Sequence, residues 1–205
     1  MKFLKFVAAA VTAATMWVVP ASAVTIAPVG TTDVTVAGPV LSFLNGAGIT
    51  PSPIDPATAS GATFSFPITG GDTSTLTITH SGGVRFEAGA AFLTASNFTI
   101  KGSEGTVAAD VTSSAFASAS QIDIFDLASV DLSGPITADL VINSALNGAL
   151  GATFAGGSDL GLKDTVFGSA STSPAPVPLP AAMPLLLAGI GAFGALRFSR
   201  RKAAS

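Results

Sequence analysis

The stretch Thr63-Phe64-Ser65-Phe66-Pro67-Ile68-Thr69 alternates apolar and polar side chains one by one. A side-chain period of two puts Phe64, Phe66 and Ile68 on one face of an extended chain, with Thr63, Ser65 and Pro67 on the other. A helix cannot bury one stripe with that pattern. Related text follows in residues 75–80, with Leu76 and Ile78 on the apolar face, and in residues 82–89, 97–102, 106–113, 121–127 and 136–143. Gly70-Gly71-Asp72 and Ser81-Gly82-Gly83 read as turns that supply positive φ. Strands at about ten-residue spacing predict a mainly β, antiparallel sandwich or barrel-like domain.

Two segments keep a helical period instead. Val40, Leu41, Phe43 and Leu44 share one stripe before Gly46, and Ala145, Leu146, Ala149 and Leu150 share another, with Ser144 as the expected N-cap. Both are short, so they need the sheet to hold them. The ten phenylalanines between the termini are expected in the core, because phenylalanine lacks the polar tip of typical binding aromatics.

Charge separates the chain into three parts. Lys2 and Lys5 open it, and Arg197, Arg200, Arg201 and Lys202 close it. Between them stand three basic residues against all twelve carboxylates, a balance of 3 − 12 = −9. Such a middle repels nucleic acid. Cysteine is absent, which excludes disulfides and thiolate metal sites.

The termini read as delivery signals. Two lysines, an apolar run over 6–19 and the small residues Ala21 and Ala23 match a signal peptide over 1–23, cut before Val24. The β-rich domain is then expected over 24–168. Residues 169–176, rich in Ser, Pro and Ala, are expected to form a solvated spacer. Residues 181–196 carry no charge and would span about 24 Å as a helix, against about 30 Å for a bilayer core. Extending the transmembrane segment to about 181–198 nearly closes that gap. The basic tail 197–202 is expected to stop transfer and to stay in the cytoplasm.

Val177-Pro178-Leu179-Pro180-Ala181, followed by the glycine-rich apolar span and the arginine cluster, resembles the VPLPA-CTERM variant of the PEP-CTERM sorting signal over 177–202. Leu179 stands where the commoner form has glutamate. The resemblance implies a signal peptidase and an exosortase-like processing enzyme as partners, with transient residence in the inner membrane of a Gram-negative bacterium. Release or surface display would follow, with extracellular polysaccharide as a further partner.

The order of "GAGITPSPIDPA", "FSFPITGG", "ITHSGGVRFE", "SNFTIKG", "IDIFDL" and "INSALNGALGATFAGG" resembles HtaA-type secreted domains. Haem-binding members of that family use a tyrosine ligand, and this chain has no tyrosine. The resemblance therefore implies the fold without that ligation, and no cofactor is expected.

Candidate chemistry is sparse. His80 is the only histidine. It is a possible ligand for haem or metal, but beside a glycine turn it reads as a hydrogen-bonding surface residue. Glu87 and Glu104 are the only glutamates, and nothing in their spacing selects a glycosidase pair. Asp123, Asp126 and Asp131 lie close together, and a loop over 126–131 is a candidate calcium site without a calcium-loop motif. Their plainer role is to solvate an apolar-rich domain. No zinc set and no G-x-S-x-G elbow is present, so no enzyme and no metal site is expected. The sequence thus predicts an exported, non-catalytic structural or adhesive β domain, with a small-molecule (haem) binding module as the alternative.

Overall fold

The computed structural model describes residues 25–26, 29–72, 74–133 and 135–174. Twelve strands and two helices follow one another: β1 (Thr25–Ile26), β2 (Gly30–Val36), α1 (Gly38–Gly46), β3 (Thr50–Ile54), β4 (Thr58–Ser60), β5 (Thr63–Asp72), β6 (Thr77–His80) and β7 (Gly83–Ala88). They continue as β8 (Ala91–Lys101), β9 (Thr106–Ser113), β10 (Ala119–Asp131), β11 (Ile136–Ile142), α2 (Ser144–Phe154) and β12 (Val166–Pro174).

All pairings are antiparallel, and eight strands close a ring in the order β5-β2-β12-β11-β10-β9-β8-β6 and back to β5. Of the two architectures expected, the barrel is the one formed. Closure removes the exposed edges that an open sheet would present. The short strand β6 makes the closure, with Ile78 opposite both Gly71 and Ile100. The first part of β8 pairs with β7, which pairs with β3. At Asn97, φ 52, the strand turns from β7 to β6; asparagine tolerates that left-handed conformation.

Phe64, Phe66 and Ile68 face inward as the alternation predicts. The core also takes Phe86, Phe125 and Phe167, while Phe43, Phe98, Phe116 and Phe154 pack at its margin. Phe66 and Phe98 meet edge to face at 4.9 Å between ring centres, a preferred aromatic geometry. Both helices lie at one end of the barrel: α1 buries Val40 and Leu44, and α2 buries Leu146 and Leu150.

Four local expectations need correction. The stretch expected as spacer from 169 is strand as far as Pro174. Just before it, a Cβ at Gly168 would collide with the Thr35 carbonyl on β2. Ala170 and Thr172 are buried there. The strand therefore runs six residues past the expected boundary at 168, to the last described residue, Pro174. The N-cap of α2 is Asn143, one residue before Ser144, and its Oδ1 accepts the N–H groups of Ala145 and Leu146. Leu76 sits exposed in the β5–β6 turn at φ 52, not on a buried strand face. Gly70 and Gly71 belong to β5, where the pairing with β6 shifts register.

The signal-cleavage residues Ala21, Ala23 and Val24, the motif Val177, Pro178, Leu179, Pro180 and Ala181, and the basic residues Arg197, Arg200, Arg201 and Lys202 lie outside the described residues. So does the segment 181–198. Among the described residues no helix is long and apolar enough to cross a membrane.

Candidate functional site

The barrel interior holds a cavity of about 60 Å³. Of the side chains that line it, only those of Thr32 and His80 are polar. His80 closes β6 opposite Ile68 and is buried, contrary to its expected place at the surface. The glycine turn that suggested exposure passes over Ala57 instead. Gly82 has φ 81, and a Cβ there would press to 2.6 Å from the Ala57 amide nitrogen.

Both ring nitrogens of His80 are engaged. Nδ1 lies 3.2 Å from the Phe98 carbonyl oxygen, which can only accept, so Nδ1 carries the proton. Nε2 must then accept, and the Thr32 hydroxyl donates to it at 2.7 Å. Thr172 in turn donates to Thr32 at 2.9 Å. The direction of all three bonds follows from that one carbonyl. Burial pushes the imidazole pKa down to about 4, against a smaller upward pull from the Phe98 carbonyl. At neutral pH the ring is uncharged, and no nitrogen lone pair is free for a metal. Buried side-chain polar atoms among the described residues all have partners.

The carboxylates do not converge on a site. Glu87 pairs with Arg85 on β7, whereas Glu104 lies 3.5 Å from Lys101 in the turn between β8 and β9. The strand register puts those positions at opposite ends of the barrel. Asp126 and Asp131 are on β10, not in a loop, and both are exposed. Asp131 accepts the Ser133 N–H, and the hydrogen bonds of that turn lower its pKa. Asp123 pairs with Lys101 at 2.9 Å, a contact that raises the lysine pKa. Among the described residues no three potential metal ligands cluster.

A further concavity runs along the outer face of α2. Ala145, Gly148, Ala149 and Ala152 form its floor, and Phe116 and Ile122 its wall. It is open and apolar, with a volume of about 330 Å³. Sequence reasoning missed it because Phe116 lies in the β9–β10 connection, far from α2 along the chain.

This eight-stranded barrel occurs in two solved structures from Corynebacterium glutamicum. The haem-binding protein HtaB matches at TM-score 0.52 and 16% identity, over 72% of this chain and 91% of that one. The C-terminal domain of HtaA matches at TM-score 0.50 and 15% identity, over 72% and 98%. No family model matches the chain, and neither does any curated protein. At such identity the likeness establishes the fold, the one expected from the ordered sequence blocks.

The residues present do not fit an iron-ligated haem. The chain contains no tyrosine, and its one histidine is locked at both nitrogens. The interior cavity is several-fold smaller than the ~300 Å³ at which small-molecule sites begin.

Proposed function

We propose that this protein is an exported, non-enzymatic binding module whose barrel is scaffold rather than pocket. The observation that carries the reading is the barrel itself, similar to that of a protein described as haem-binding, HtaB, while its own interior holds only a small cavity and its buried polar atoms are satisfied. Binding then falls to the outside, where the open, shallow groove over α2 offers an apolar contact surface. Its ligand is a small, flat, apolar molecule held by contact, without an axial bond to a metal.

Iron-free protoporphyrin is the direct probe. It should bind the full chain with a rise in fluorescence, and binding should weaken by an order of magnitude or more in Ala145→Asp. That substitution puts a charge into the groove while favouring the first turn of α2. Equal binding to both chains, or none to either, contradicts the reading.

A second reading, a structural or adhesive module of the cell surface, draws support from the same packed interior. It predicts co-sedimentation with extracellular polysaccharide that Ala145→Asp leaves intact. In either case delivery runs through removal of residues 1–23 and exosortase-type processing at 177–181. Pro178→Ala with Pro180→Ala should leave full-length protein in the membrane, whereas mature protein of unchanged size outside the cell would contradict that route.

A further inference from the structure

Both ends of the described domain leave the barrel at one rim. Pro174, the last residue of β12, pairs with Gly30 at the start of β2, and β1 pairs with the end of β5. The β5–β6, β8–β9 and β10–β11 turns meet at that same end. The helices cover the other end.

Exposed apolar side chains collect on this rim. Val29 precedes β2, Leu76 sits in the β5–β6 turn, Val130 lies at the end of β10 and Leu132 just after it; they are 54%, 44%, 52% and 58% exposed. Among the described residues only one other large apolar side chain is comparably exposed: Val166, which starts β12 at the helical end. Scattered exposure of this kind is ordinary; its confinement to one end is not.

The strand that replaces the expected spacer fixes what faces the rim. With β12 continuing to Pro174, only residues 175–180, six in number, separate the barrel from the apolar segment that begins at 181. Six residues reach at most about 20 Å. The opposite end of β12 lies farther away by about 30 Å, the length of nine strand residues.

We propose that this rim is a membrane-docking surface, seating Val29, Leu76, Val130 and Leu132 in the headgroup layer of the bilayer that holds residues 181–198. The inference rests on the reading of that segment as a membrane span. The charges at the rim keep the seating shallow. Asp72 and Asp131 hold the N–H groups of Ser74 and Ser133 in their own turns, and Lys101 is paired with Glu104 and Asp123. Four carboxylates against one lysine favour a zwitterionic surface over an anionic one. Burial of the apolar tips to about 5–10 Å, at the boundary of headgroups and acyl chains, matches how interfacial elements bind.

The cysteine-free chain makes the test clean. Leu132→Cys and Val166→Cys, each labelled with an environment-sensitive fluorophore, are reconstituted as full-length protein into phosphatidylcholine–phosphatidylethanolamine vesicles. Flotation reports whether the chain is anchored, and quenching by a shallow nitroxide lipid reports where each label sits. The inference expects floating protein, strong quenching at 132 and none at 166. It also expects quenching at 132 to be lost when Val29, Leu76 and Val130 are all changed to serine. Floating protein with equal quenching at the two labels overturns the docking surface alone. Unchanged quenching at 132 in the serine variant does the same, because the tether then accounts for the position. Failure to float overturns the membrane span, and the docking surface falls with it.

Discussion

The two ends of this barrel are closed by different means. At one end α1 and α2 lay leucines and a valine on the core, and Asn147 ties α2 to the following loop through Asp159 at 2.7 Å and the Leu162 N–H at 3.1 Å. At the other end no helix among the described residues covers the strands. Closure there falls to a buried polar chain, Thr172 to Thr32 to His80 to the Phe98 carbonyl, beneath short turns that leave apolar tips outside. The first end draws its stability from apolar burial. The second adds a directed hydrogen-bond chain around a ring whose burial disfavours its charged form. The contrast teaches that the only histidine of the chain serves the wall of the barrel, and that the unhelical rim carries most of the exposed apolar tips.

Substitution at the helical end should show the largest effect. Leu146→Ala opens a cavity under α2 and should cost about 2–5 kcal/mol in denaturant unfolding, the range for buried leucines. A loss below about 1 kcal/mol would mean that α2 is not part of the cooperative core.

Acid probes the other end. The His80 pKa is about 4 in the fold against 6.5 for a free side chain, so the unfolded chain binds the proton more readily. The stability due to the neutral ring is complete above pH 6.5. It is lost as pH falls from 6.5 towards 4, by ~3 kcal/mol in total. Unfolding midpoints measured across that window should fall in the parent chain. They should fall distinctly less in His80→Gln, whose amide does not titrate.

The smallest effect is expected at the rim. Leu132→Ser removes an exposed side chain and should change stability by no more than about 0.5 kcal/mol. A larger loss would show that the rim is structural rather than available for contact.

Much of this was legible from residues alone. Phe64, Phe66 and Ile68 announced their strand because one face of β5 is buried and the other is not. The two helices were legible from their stripes, and Asn143 was overlooked because Ser144, an equally good cap by type, stands beside it. The residues 169–174 misled because serine, alanine and threonine read as a spacer. In the barrel wall they form a strand in which Ala170 and Thr172 are buried while Ser169 and Ser173 face solvent. His80 misled for a related reason: a Ser-Gly-Gly turn follows it, and nothing local reveals Thr32 and Thr172, 48 positions before and 92 after it. Nor can any local pattern reveal that a four-residue strand, β6, joins β5 to β8 and closes the ring.

That the interior is an apolar core with its buried polar groups satisfied is tested most directly by the imidazole nitrogen resonances of His80, the only histidine in the chain. The structure predicts a neutral ring protonated at Nδ1 at pH 7, with a titration midpoint near 4. A ring that titrates near 6.5, or one protonated at Nε2 at neutral pH, would show an open and differently bonded interior and contradict the account.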